Sequence, residues 1–158
     1  MFERDESSDA RRLAEAAVRA MYERDSASQA LGMRIVEVRP GYARVTMGIR
    51  ENMVNGHQIC HGGLIFTLAD SSFAFACNSH NCVTVAAGGT IEFLLAVRLG
   101  DDLIATAQER SRSRRTGIYD VDVRNQKGEC VAMFRGRSHE LGGEVVDSST
   151  LAGSSHQT

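Results

Sequence analysis

One stretch of this 158-residue chain concentrates the side chains that can do chemistry. Asn55-Gly56-His57-Gln58-Ile59-Cys60-His61-Gly62-Gly63 runs into an apolar segment, residues 62–77, whose single carboxylate is Asp70. Paired glycines at a helix start let another group approach the backbone closely. The first helical turn also offers unpaired N–H donors at the positive end of the helix dipole. Such donors suit a carbonyl oxygen that turns anionic under attack, so Gly62 and Gly63 form a candidate oxyanion site, with a plain turn as the alternative. A carboxylate inside an apolar helix needs a reason. Asp70 is either a general base or nucleophile, or it is bonded within the core to a serine or to backbone. Eight residues separate Gly62 from Asp70, which at a rise of ~1.5 Å each is ~12 Å along one helix. One carbonyl cannot touch both in one copy. If the two act together, one comes from the antiparallel helix of a second subunit, which predicts an isologous dimer with two composite sites.

Other chemistries have thinner support. His57, Cys60 and His61 lack the further ligand pair that a zinc site needs, so no metal is expected. Cys60 beside His61 lacks the third, orienting group of a thiol nucleophile, and packing is the better reading for Cys60, Cys77, Cys82 and Cys130. His80 and His139 read as surface or hydrogen-bonded histidines. Arg110, Arg112, Arg114 and Arg115 form the one dense basic strip, and alternation along a strand puts 110, 112 and 114 on one face. Planar guanidinium forks there suit phosphate; a solvated strand edge protected by charge is the competing reading. Met53, Phe66, Phe73 and Phe75 can line an aryl pocket or pack a core.

These residues require elements to hold them. Asp9 to Arg24 carries apolar residues at three- and four-residue steps, predicting an amphipathic helix with Asp9 as its N-cap, and a short helical turn follows through Ala30. Leu31–Arg39 and Tyr42–Ile49 alternate around Pro40-Gly41 and predict a hairpin. The run from Gly62 to Cys77 is apolar nearly all round, as a buried helix is. Strands are predicted over Val83–Val97, Leu103–Arg114, Thr116–Asn125 and Cys130–Leu141, with turns at Gly100-Asp101-Asp102 and Asn125–Gly128. Two strands, a buried helix and four strands make an α+β domain whose antiparallel sheet wraps the helix. Residues 1–8 are expected to be flexible, 9–141 to form the domain, and 142–158, rich in Gly, Ser and Thr, to be disordered. A formal charge of −2 gives no field that would draw in nucleic acid or an anionic membrane. The charged start and the lack of any ~20-residue apolar run predict a soluble, cytoplasmic protein with free thiols.

The segment from Asn55 to Asn78 closely resembles the hotdog-fold thioesterases of phenylacetate degradation, which act on phenylacetyl-CoA and its ring-hydroxylated relatives. Thr90-Ile-Glu-Phe-Leu94, residues 100–107, Gly117-Ile-Tyr-Asp-Val121 and Phe134-Arg-Gly-Arg-Ser-His139 fit the same family, so the likeness spans roughly residues 10–143. It implies a hotdog fold and an acyl-CoA thioesterase that needs no cofactor, the CoA being part of the substrate. It also implies a homodimer that pairs into a homotetramer. Carried over by position, the helix-start glycine falls on Gly62 or Gly63, the histidine before it on His61, the loop asparagine on Asn55, and the catalytic carboxylate on Asp70. In the family the helix start polarises the thioester carbonyl while the carboxylate of the other subunit attacks it or activates water. One departure stands out. Leu95-Ala96 occupy the place of a common Arg-Pro pair, which leaves the coenzyme's phosphates to Arg98 or to the strip Arg110, Arg112, Arg114 and Arg115. A dehydratase or isomerase on the same fold and a noncatalytic acyl-CoA-binding module are the alternatives; only the hydrolase releases free CoA thiol.

Overall fold

The computed structural model describes residues 6–152. The first helix, α1 (Glu6–Glu23), starts before the predicted cap. Asp9 therefore lies inside its first turn, paired with Arg12 one turn on. Residues 6–8, expected to be flexible, are helical; residues 1–5 lie outside the described residues. A five-residue helix, α2 (Ser26–Ala30), follows, capped by Asp25. The hairpin β1 (Arg34–Arg39) and β2 (Tyr42–Gly48) turns at Pro40-Gly41, where Gly41 takes φ +72°. After a single 3-10 turn, Glu51–Met53, comes the central helix α3 (Gly62–Asn78), and then β3 (Thr84–Phe93), β4 (Asp102–Ser113), β5 (Thr116–Arg124) and β6 (Cys130–Glu140).

The six strands form one antiparallel sheet in the order β1-β2-β4-β5-β6-β3. Its inner face is narrow in side chain where the helix crosses it: Ala43 and Val45 on β2, Ala105 and Ala107 on β4, Val121 and Val123 on β5, all fully buried. Against them α3 presses Ile65, Leu68, Ala69 and Phe73. Gly136 marks the tightest approach, since a Cβ there would stand 2.9 Å from the rings of both Phe73 and Phe134. Burying the alternating apolar residues is the main driving force for this arrangement.

Three expectations need correction. The central helix is not buried all round: Gly63, Phe66, Thr67, Asp70 and Ala74 form a stripe that stays exposed or half-buried, because the single sheet covers only one side. β3 stops at Phe93, short of Val97. The N–H groups of Leu94 and Leu95 both turn to the Val131 carbonyl, and the Val97 carbonyl accepts from Cys60, so the chain leaves the sheet to wall a cleft. Residues 142–152, expected to be disordered, are held in place. Val83 N–H donates to the Gly143 carbonyl, Asn81 holds both polar groups of Val146 at 2.9 Å, and a short helix, α4 (Ser148–Ala152), follows. The rest of that predicted tail, 153–158, lies outside the described residues.

The far end of α3 is tied down by a carboxylate. Glu109 Oε2 accepts from the Tyr119 hydroxyl and pairs with His80 Nε2, each at 2.6 Å. Burial works to raise the Glu109 pKa, but these bonds and the His80 charge outweigh it and leave it lowered. A lowered carboxyl stabilises the fold above its unfolded pKa, and that contribution is lost as pH falls through the folded value. The melting temperature should accordingly fall on acidification below about pH 4.5. In a Glu109→Gln variant that decline should be shallower, and the variant less stable at neutral pH, as thermal unfolding across pH will show.

Candidate active site

Asn55 opens the loop into α3. Its Oδ1 accepts from the backbone N–H of His57 (2.9 Å) and more weakly of Ile59 (3.5 Å), and its own N–H donates to the Ile59 carbonyl. Short antiparallel bridges join Val54 to Cys60 and Ile59 to Arg98. The loop is thereby clamped on the segment after β3. His61, in extended conformation (φ −61°, ψ 128°), is the N-cap of α3, and its Nδ1 accepts from Gly63 N–H at 3.3 Å. The Gly62 N–H has no partner among the described residues. It therefore remains the open donor at the positive end of a seventeen-residue helix.

Over this donor lies a cleft of about 370 Å³, lined by Asn55, Cys60, Gly62, Ile65 and the wall Phe93–Val97. Phe93 lies against the helix start, its ring 3.0 Å from where a Gly62 Cβ would be, so any side chain there must push that half-exposed ring aside by a few tenths of an ångström. Phe93, Leu94 and Leu95 are each about half exposed (53%, 49% and 47%). Composition gave no hint of this wall. The apolar run Phe93–Val97 is visible in the sequence, but it reads as the end of a strand.

Asp70 sits two turns along α3 on the helix's open stripe, half-buried, with no hydrogen bond or ion pair among the described residues. Local satisfaction in the core is thus not what the structure shows. Ser72 donates to the Leu68 carbonyl and Ser71 pairs with Ser28, so both neighbouring hydroxyls are engaged elsewhere. Burial pushes the Asp70 carboxyl above the usual carboxylate range. Within one chain Asp70 stays ~12 Å from the Gly62 donor.

The remaining candidates separate. Cys60 is buried, and burial raises its thiol to about 11, which leaves it protonated and unsuited to attack. Among the described residues no three His, Cys, Asp or Glu side chains come together as metal ligands would. Met53, Phe73 and Phe75 are core, at most 1% exposed. Phe66 is half-buried and packs edge-on against Phe134. The basic strip does not share one face. A bulge between Glu109 and Ser111 shifts the β4–β5 register by one residue, which flips the alternation. Arg110 thus pairs with Asp120 on the outer face, Arg112 turns to Glu140, and Arg114 takes a left-handed turn conformation at φ +52°. Arg115 completes that turn just before β5, and the whole strip lies by the far end of α3 from the cleft. Arg98 adjoins the cleft wall at Val97, and its N–H donates to Asp101.

A sequence profile of the thioesterase superfamily matches residues 57–132. The chain is 49% identical to the acyl-coenzyme A thioesterase PaaI of Escherichia coli K12, over 80% of its own length and 91% of the relative's. The chain belongs to the PaaI-type thioesterases. The fold agrees: the structure of the E. coli PaaI protein from the phenylacetic acid degradation operon superposes with a TM-score of 0.84 at 47% identity, covering 85% of this chain and 98% of that one. A hypothetical thioesterase of Streptococcus pneumoniae TIGR4, solved with coenzyme A, matches with a TM-score of 0.69 at 28% identity over 71% of this chain and 90% of its own. The six-stranded antiparallel sheet around a central helix is the hotdog fold, and this thioesterase is a hydrolase. No helix of the described residues is long and apolar enough to cross a membrane.

A base or nucleophile must be ionised, so turnover should fall as pH drops through the raised Asp70 pKa. The acid limb of the kcat/KM profile should then lie above the ordinary carboxylate range near 4. With Asp70 in that role, Asp70→Asn, which keeps the shape and loses the carboxylate, should cut kcat at least ~100-fold while leaving the melting temperature unchanged or higher. Turnover within ~threefold of wild type would remove Asp70 from the chemistry.

Proposed function

We propose that the protein hydrolyses acyl-CoA thioesters, with aryl-acetyl groups such as phenylacetyl or hydroxyphenylacetyl as the preferred acyl part. The observation that carries this reading is Asp70: a half-buried carboxylate with a raised pKa and no partner among the described residues, on the open stripe of a helix whose start offers an unpaired N–H. The thioester carbonyl oxygen accepts from the Gly62 N–H, which stabilises the negative charge that develops on it. Gly63 lends the same turn a second donor once its bond to His61 yields. Asp70 either attacks the carbonyl carbon and expels the CoA thiolate, leaving an anhydride that water hydrolyses, or takes the proton of an attacking water. Its placement serves both routes. Asn55 and His61 shape the loop and cap the helix start. Apart from Asn55 the cleft lining carries no polar side chain, which favours an uncharged apolar acyl group.

The Asp70 that serves a given Gly62 belongs to a second subunit. β3 lies at the sheet edge, and from Val85 onward nearly all its residues are exposed, with Glu92 its only charge. A long, apolar, unguarded edge strand is normally covered. Pairing of two such edges about a twofold axis would close it, and antiparallel α3 helices would cover each other's open stripe. The outer face of the sheet then supports pairing of dimers into a tetramer. There Asp120 sits between Arg110 and Arg135 beside a hollow of about 480 Å³, a charge pattern that can meet its own copy.

For the CoA phosphates Arg98 is the group of choice in the subunit that supplies the helix start. Arg110, Arg112, Arg114 and Arg115 reach a cleft only from a neighbouring subunit. Arg98→Gln should raise KM for acyl-CoA several-fold and flatten its dependence on salt, with kcat little changed. A wild-type salt response would shift the phosphate contact to the strip.

The composite site has a direct test. Gly62→Pro removes the open N–H at the first helical position, which proline tolerates, and His61 already has the extended conformation that a residue before proline adopts. Mixed dimers of Gly62→Pro and Asp70→Asn subunits should regain roughly half of the activity of one wild-type dimer, since one of their two sites carries neither lesion. Purified heterodimers as inactive as the parents would place both groups in one subunit. Release of free CoA thiol from aryl-acetyl-CoA, without a change in the acyl carbon skeleton, separates the hydrolase from a dehydratase or isomerase.

A further inference from the structure

A chain of three polar side chains leads from the α1–α2 connection to the residue next to Asp70. Asp25 caps α2 by accepting from the Ser28 N–H (2.9 Å), and its other oxygen accepts from the Ser28 hydroxyl at 2.5 Å. The Ser28 oxygen lies 2.9 Å from the Ser71 hydroxyl on α3. Ser28 is 1% exposed, so water does not compete for its hydroxyl. A hydroxyl has one proton. The short, charge-assisted contact claims the Ser28 proton for the Asp25 carboxylate, so Ser71 must be the donor to Ser28. That direction distinguishes Ser71 from its neighbour Ser72, which donates back along its own helix to the Leu68 carbonyl. The Ser71 proton is committed across to α2, and the turn of α3 that carries Asp70 is pinned from outside the sheet.

We propose that Asp25, Ser28 and Ser71 are positioning residues for Asp70: the chain fixes the turn of α3 that carries the carboxylate and keeps the adjacent hydroxyl from donating to it. None of the three touches substrate. The inference rests on the reading of Asp70 as the reacting carboxylate. An anchored turn matters because catalytic groups lose rate steeply with small displacements. A two-residue contact between otherwise separate elements also couples its members energetically.

Steady-state kinetics of Ser28→Ala, Ser71→Ala, their double variant and Ser71→Thr test it, at a temperature where circular dichroism shows each folded. Each alanine variant should lower kcat roughly tenfold with KM within about twofold, as loss of alignment without loss of binding predicts. The double variant should be no slower than either single one, because each already breaks the same chain. Ser71→Thr, which keeps the hydroxyl, should return most of the rate. A lowered melting temperature with kcat within ~twofold of wild type, or losses that multiply in the double variant, would overturn the proposal and leave the contact a packing feature. Asp70→Asn is measured alongside. If it is inactive while the serine variants match wild type, only this proposal falls; if it retains wild-type turnover, the reading of Asp70 falls first and this one with it.

Discussion

The packing of α3 against the alanine- and valine-lined inner face of the sheet is the contact on which the rest of the structure depends. Small side chains on β2, β4 and β5 let the helix sit close, and Gly136 removes the side chain that would hold Phe73 away. A single helix crossing a single sheet can bury only one side of itself. The opposite stripe, from Gly63 through Thr67 and Asp70 to Ala74, is left for something else to cover. That geometric remainder is why a carboxylate can sit on an apolar helix at all. Sealed in the core it would need a partner. On the stripe it is desolvated enough for its pKa to rise and open enough to lack an internal donor.

The same helix supplies both halves of the proposed chemistry and keeps them apart. Its start presents the Gly62 N–H to the cleft, and its middle presents Asp70 to the open side. A rigid helix holds its residues at fixed spacing, so the two halves can meet at one carbonyl only by combining two copies. Preorganisation then comes from three separate anchors. The Asn55 loop is clamped to the segment after β3, His61 caps the first turn, and the Glu109 cluster ties the far end of α3 to β4 and β5. The loop clamp and the Glu109 cluster join the two ends of the helix to different parts of the chain, and the His61 cap holds the first turn itself.

Much of the fold was legible because its periodicities are strong. Alternation marked the strands, Pro40-Gly41 the hairpin turn, and the apolar run from Gly62 the central helix, all within a few residues. Where reading and structure part, a specific hydrogen-bond partner or an inserted residue decided. β3 ends early because Leu94 and Leu95 share the Val131 carbonyl. The Arg110–Arg114 alternation fails because one extra residue at the β4 bulge reverses it. Residues after 142 hold their course because Asn81, sixty-five positions earlier, captures Val146. None of these partners has a signature in the local composition.

By itself the sequence determined the elements, the family resemblance and the residue types at the site: two glycines at a helix start, a histidine before them, and one carboxylate two turns on. These are local facts, set by spacing along the chain and by the few residues able to meet a given backbone demand. Tertiary structure alone decided which of those groups are free to act. Whether Asp70 is satisfied, which glycine N–H is open, and that Phe93–Val97 form a wall rather than a strand all depend on contacts between segments far apart in the chain. Hydrogen-bond donors and acceptors are matched in space and are shared between elements, so their final pairing becomes legible only once the chain has folded.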